Sequence, residues 1–290
     1  MVTMPTLAPD SLMLNFVILA FGIIILVKGS DSFIKAISGV AEDFGVSEFI
    51  ISVFLASFAT TLPEISVSVL AAIEGQSGLS VGNIIGSNLA NILLIFGTIP
   101  LLKEIISPNE LEEKSLFLIG STILLIIFMK TGRKIGKTEG LVLIFIYLLY
   151  LTYNIKKHFK PEEIPEEKTG YGFMKDFFYL GLGLAGIFLG SRLMVSNGVK
   201  IAIELGVPEI IIGLTVIALG TSLPELTNAI MATIKGKHGI SIGNIIGANT
   251  INNTFSLGLI AIISEIPANN MLNLHLPILL ISVLLLTGIA

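Results

Sequence analysis

The chain has no cysteine and no tryptophan among its 290 residues. The first absence excludes disulfide bonds and thiolate metal centres. The second leaves Tyr and Phe as the aromatic side chains that could belt a membrane surface. Charge is also scarce: 13% of residues are charged, against about 25% in soluble domains. The three histidines, His158, His238 and His275, are scattered, so a histidine metal site is not expected. A formal net charge of −4 is too small to imply a nucleic-acid partner.

What remains is apolar. Hydrophobic residues make up 53% of the chain and the mean hydropathy is +0.91, which marks an integral membrane protein. Nine apolar runs have the length of a membrane span, near 13–29, 48–73, 80–102, 115–130, 138–155, 176–203, 209–234, 240–264 and 271–289. None alternates as the strands of a barrel would, so the expected class is an all-α polytopic membrane protein. The start, MVTMPTLAPDSLM, has no basic region, and the first apolar run is expected to be a span rather than a cleaved signal.

A shift of 161 residues aligns Gly29–Gly97 with Gly190–Gly258 without a gap, and 25 of the 69 pairs are identical. GNIIGSNLAN at 82–91 pairs with GNIIGANTIN at 243–252, and TLPE at 61–64 with SLPE at 222–225. Five spans precede the second copy's first helix. An odd number sets the copies in opposite directions across the bilayer, the inverted repeat on which many transporters build alternating access. The expected organisation is a first half at 1–153 with its motif at 48–97, a polar linker at 154–175, and a second half at 176–290 with its motif at 209–258. Symmetry predicts 5 + 5 spans; the tenth is not seen, and truncation is expected ahead of the loss of a last helix. Lys and Arg are concentrated after spans 1, 3, 5 and 7, which predicts an outside N-terminus and a cytoplasmic linker, although KTGRKIGK at 130–137 dissents.

Polar residues interrupt two of these spans at equivalent places. Ala56–Val69 reads ASFATTLPEISVSV, and Ala218–Ile230 reads ALGTSLPELTNAI. A carboxylate at the bilayer centre costs roughly 2.5–3.5 kcal/mol on insertion scales and usually faces a bundle interior or water. Glu64 and Glu225 each lie near mid-span, and a two-fold relation would bring them together. Two buried carboxylates repel unless a proton or a cation intervenes, and Ca²⁺ takes six to eight oxygens. Pro63 and Pro224 lack an N–H and clash with the carbonyl four residues earlier, so carbonyls near Ala59, Thr60, Gly220 and Thr221 are expected to lose helical partners. Thr60, Thr61, Thr221 and Ser222 add hydroxyls, and the companion helices bring Ser87, Asn91 and Asn252. In each copy an Asn pair, 88 and 91 or 249 and 252, has the i, i+3 spacing that turns both toward one neighbour.

Other charges have simpler readings. Asp31 ends a span, Arg192 snorkels, Glu48 and Glu209 suit helix N-termini, and PEEIPEE is a solvated linker face. An intramembrane enzyme would need an activated water with a metal or His nearby. A passive channel would conduct without a counter-ion. The duplicated glutamates fit neither as well as transport.

The paired motifs GTSLPE at 220–225 and GNIIGSN at 82–88 resemble the alpha repeats of the sodium/calcium exchanger family, prokaryotic type, within the cation/calcium exchanger superfamily. The resemblance covers most of the chain. It implies ten helices in two inverted halves, exchange of Ca²⁺ for Na⁺ across the cell membrane, and long sliding helices at spans 1 and 6. By resemblance Glu64 and Glu225 are Ca²⁺ ligands, joined by the carbonyls of Thr60 and Thr221, whose hydroxyls serve Na⁺. Ser57 and Ala218 offer carbonyls, Ser87 serves a flanking Na⁺ site, Asn91 and Asn252 line the middle, and Thr61 and Ser222 flank it. Two departures stand out: Ala248 replaces a Ser of the pattern, and Asn252 stands where many sodium-coupled members carry Asp. A pocket with two carboxylates also suits a Ca²⁺/H⁺ antiporter. The expected partners are the transported ions and the lipid bilayer, with no cofactor, and the expected state is a monomer.

Overall fold

A computed structural model describes residues 9–43, 48–98, 108–132, 134–158, 172–225, 238–267 and 270–289. Helices α1 (Pro9–Asp43), α2 (Glu48–Ile73), α3 (Ser77–Thr98), α4 (Pro108–Gly132), α5 (Lys137–His158) and α6 (Phe173–Leu205) follow in order. The seventh helix, α7, opens as Glu209–Ile212, widens into a π turn at Gly213–Ile217 and narrows again at Ala218–Thr221. The eighth, α8, runs as His238–Ile251, a π turn at Asn252–Ser256, and Leu257–Ile263. The last described helix, α9, is Asn270–Ile289. Each expected span thus has its helix. The linker falls largely outside the described residues, as do residues 226–234 of the seventh expected span and the Ser57 side chain.

Among the described residues five helices are long and apolar enough to cross a bilayer by length and composition: Leu12–Phe33, Glu113–Gly132, Lys137–Lys157, Met174–Leu205 and Ile245–Ile263. The chain is an all-helical, multi-pass membrane protein. The 22-residue α3 helix carries Ser80, Asn83, Ser87, Asn88 and Asn91, all buried. Buried polar groups must find partners where no water reaches, so α2, α3, α7 and α8 gather at the centre and α8 is among the most enclosed helices.

The two longest helices, α1 with 35 residues and α6 with 33, would each run about 50 Å at 1.5 Å per residue. A hydrocarbon core of about 30 Å accepts such a helix only tilted or protruding. The pair shares the largest helix–helix interface among the described residues. Glycines make it: a Cβ on Gly29 would lie 2.7 Å from the Ile187 nitrogen, on Gly183 2.6 Å from the Phe33 nitrogen, and on Gly190 2.6 Å from the Leu26 nitrogen. Gly22 and Gly183, like Gly29 and Gly190, are one repeat offset apart, so this seam is the repeat packed on itself. Small residues permit such backbone approach in lipid.

At one end, strands β1 (Lys134–Ile135) and β2 (Ile266–Pro267) pair antiparallel, Lys134 opposite Pro267 and Ile135 opposite Ile266. Lys134 Nζ meets Glu265 Oε1 at 2.8 Å. This clip joins the α4–α5 loop to the α8–α9 loop, one from each repeat.

Candidate functional site

Close approach of α3 and α7 places the first copy's polar residues against the second copy's. A Cβ on Gly82 would lie 2.5 Å from the Ile210 carbonyl, and one on Gly86 2.4 Å from the Leu214 carbonyl. Any side chain there would push α3 away. With glycine, Ser87 Oγ lies 3.3 Å from Thr221 Oγ1 and 3.5 Å from the Ala218 carbonyl. Thr221 Oγ1 donates to Asn83 Oδ1 at 3.0 Å and to the Ala218 carbonyl at 3.2 Å. Asn83 Nδ2 in turn donates to Ser68 Oγ at 2.9 Å and to the Glu64 carbonyl at 3.3 Å.

The two glutamates lie in this region, both buried. Ser222 Oγ donates to Glu64 Oε1 at 3.0 Å. Thr60, the equivalent of Thr221, faces Glu225 across the repeat, and the two carboxylates are near enough to feel each other's charge. Yet among the described residues Glu64 Oε2 and both carboxylate oxygens of Glu225 have no hydrogen-bond partner within 3.5 Å. Unpaired charge is expensive to bury, so carboxylate oxygens in this condition require a proton or a counter-charge. Among the described residues no three His, Cys, Asp or Glu side chains group together; the acidic chemistry rests on this pair.

Proline acts differently in the two copies. The helix α7 halts at Thr221, with Ser222 turned to φ −82°, ψ 8°, and residues 223–225 resume beyond it. The α2 helix, by contrast, runs unbroken through Pro63. Pro63 still cannot donate to the Ala59 carbonyl, and that group is freed without a break. Thr61 bonds locally, its hydroxyl to the Phe58 carbonyl at 3.4 Å. Phe58, Tyr147 and Phe255 form an aromatic triangle from α2, α5 and α8, with centroids 5.1–5.9 Å apart.

Asn91 and Asn252 belong to a second, amide network. Asn91 Nδ2 donates to Asn249 Oδ1 at 3.0 Å, and Asn249 Nδ2 donates to the Asn88 carbonyl at 3.1 Å. Asn252 Nδ2 donates to Asn88 Oδ1 at 3.0 Å, and Asn88 Nδ2 to Asn253 Oδ1 at 2.7 Å. Asn91 Oδ1 is buried without a hydrogen-bond partner among the described residues. Sequence reasoning passed over Asn83, Asn253, Ser121 and Thr122. Asn83 carried a signal, since it recurs as Asn244 in a repeated apolar helix. Asn253 carried one as well: the first copy has Ile92 in its place.

A profile of the sodium/calcium exchanger protein family matches residues 14–156 and 175–290. The sodium/calcium exchanger MaX1 of Methanosarcina acetivorans is 32% identical, over 84% of this chain and 82% of its own. The inner membrane protein YrbG of Escherichia coli is 31% identical, over 87% and 81%. The solved sodium-calcium exchanger NCX_Mj, soaked with Na⁺ and Sr²⁺, superposes with a TM-score of 0.64 at 30% identity, covering 96% of this chain and 91% of that one. With its two glutamates set in a repeated fold and its sequence matched over nearly its whole length, the chain belongs to the sodium/calcium exchanger family and is a membrane transporter, not an enzyme.

Proposed function

We propose that this protein is a secondary antiporter exchanging Ca²⁺ for Na⁺ by alternating access, at a midplane site formed by Glu64 and Glu225. The carrying observation is the set of three buried carboxylate oxygens, contributed by equivalent residues of the two repeats, that lack a hydrogen-bond partner among the described residues. Two carboxylates balance one divalent or two monovalent cations, the charge equivalence that exchange requires. Carbonyls of Thr60 and Thr221 add the neutral oxygens that Ca²⁺ coordination favours. Ser87, Thr221 and the Ala218 carbonyl converge as a flanking Na⁺ site would, with Ser57 as the equivalent of Ala218. Thr61 and Ser222 flank the carboxylates, and Asn91 and Asn252 line the middle. The names of MaX1 and NCX_Mj support the choice of Na⁺ and Ca²⁺. The N-terminus lies outside and the 154–175 linker in the cytoplasm, one copy serving as the working unit.

In proteoliposomes, Glu64→Gln and Glu225→Gln should each nearly abolish gradient-driven Ca²⁺ uptake; substantial retained exchange would refute the site. One observation favours a second reading, Ca²⁺/H⁺ antiport. Asn252 stands where many sodium-coupled members carry Asp, and its NH₂ group is bound to Asn88 Oδ1, so the pocket holds two carboxylates rather than three. A Na⁺ gradient at clamped pH, then a pH gradient without Na⁺, decides between them. Ca²⁺ movement under only the pH gradient would replace Na⁺ by H⁺.

A further inference from the structure

The amide network has an end on α4, a helix that contributes nothing to the carboxylate pair. Asn253 Nδ2 donates to Thr122 Oγ1 at 2.9 Å and approaches Ser121 Oγ at 3.5 Å. Both hydroxyls have already committed their hydrogens to the Leu118 carbonyl, at 2.8 and 2.9 Å. They therefore offer lone pairs only. An amide meeting them must present its NH₂ group, because its oxygen would face oxygen.

That constraint propagates. With Asn253 Nδ2 fixed on α4, Asn253 Oδ1 must accept, and it takes Asn88 Nδ2. Asn88 Oδ1 must then accept, and it takes Asn252 Nδ2. The Asn252 oxygen is left on the side away from Asn88, where the Ser256 hydroxyl reaches it at a long 3.3 Å. All these groups are buried, so water cannot relax the sequence. The π turn at Asn252–Ser256 lets two successive side chains grip one amide, which a regular helix, turning about 100° per residue, would point apart.

We infer that Thr122, with Ser121, acts through Asn253 and Asn88 as a positioning residue that fixes the polarity of the Asn252 amide, presenting oxygen rather than NH₂ to the transported cation. The inference rests on the site proposed above. Removing the Thr122 acceptor leaves only Ser121, at 3.5 Å, to prefer one orientation, and the ladder can then turn over as a unit. An inverted Asn252 puts a donor where a cation needs an acceptor.

The test is Thr122→Val, nearly identical in shape, measured for Ca²⁺ uptake into proteoliposomes under the gradient that drives the wild type. Apparent KM for Ca²⁺ should rise on the order of tenfold, the weight of one charge-assisted contact, with a smaller change in maximal rate. Thr122→Ser should restore the wild-type KM, and Ser121→Ala should shift it less. A merely structural contact would lower the thermal midpoint and leave KM unchanged; that result, or a Thr122→Ser no better than Thr122→Val, overturns the inference. Should the valine variant fail to accumulate, Thr122→Ala removes the same oxygen and is read the same way. Wild-type protein without Ca²⁺ uptake under either gradient would refute the proposed function and this inference together. Wild-type uptake with an unchanged Thr122→Val KM refutes the inference alone.

Discussion

Ser87 and Ala248 occupy equivalent places in the two repeats and differ by one hydroxyl. Ser87 uses its hydroxyl on Thr221, beside the Ala218 carbonyl; Ala248, equally buried, brings nothing polar to its own side. Ala248→Ser should lower the Na⁺ concentration for half-maximal Ca²⁺ exchange about fivefold, the effect of one polar contact of about 1 kcal/mol. Flux measured against Na⁺ checks this, and an unchanged Na⁺ curve would place no Na⁺ near residue 248. The duplication made Glu64 and Glu225 legible in the sequence, because a polar residue repeated in an apolar helix stands out against its surroundings. The α4 acceptors were not legible. Ser121 and Thr122 look like ordinary hydroxyls in a membrane helix, and only their neighbours show what they accept.

Glycines set helix separation wherever the copies meet. On α6, Gly183 faces backbone at 2.6 Å while Gly181 faces open space. Gly183→Ala should destabilise the protein by about 1–3 kcal/mol through overpacking, since a backbone cannot turn aside. Gly181→Ala should stay within about 0.5 kcal/mol. Thermal midpoints of the purified protein distinguish them, and equal midpoints would mean the α1–α6 seam yields. The nine described helices and their order were readable from apolar run length. Their true ends were not: α1 continues to Asp43 and α6 opens at Phe173, because polar residues extend a helix past the hydrocarbon edge without any loss of backbone bonding. The π turns were equally hidden, since Gly213–Ile217 and Asn252–Ser256 carry no breaker that the first copy lacks except Gly213.

Orientation belongs to the whole molecule, and the missing cysteines make it simple to read. A single cysteine needs no background removed. Lys134→Cys, beside the inter-repeat clip, should react with an impermeant maleimide on intact cells. Lys157→Cys, where Lys157 pairs with Glu113 at the other end of α5, should react only after permeabilisation. The reverse pattern would invert the proposed topology. The clip's Lys134–Glu265 pair is more than half exposed on both sides, so its loss should lower stability by less than about 1 kcal/mol. The two π turns have a wider effect. Both lie in the second repeat, while α2 and α3 are regular throughout. A carrier with identical halves would have two facing states of equal energy, each the image of the other. In such a carrier each single state already winds its halves differently, so under the proposed alternating access the π turns are expected to pass from α7 and α8 to α2 and α3 when the site changes side.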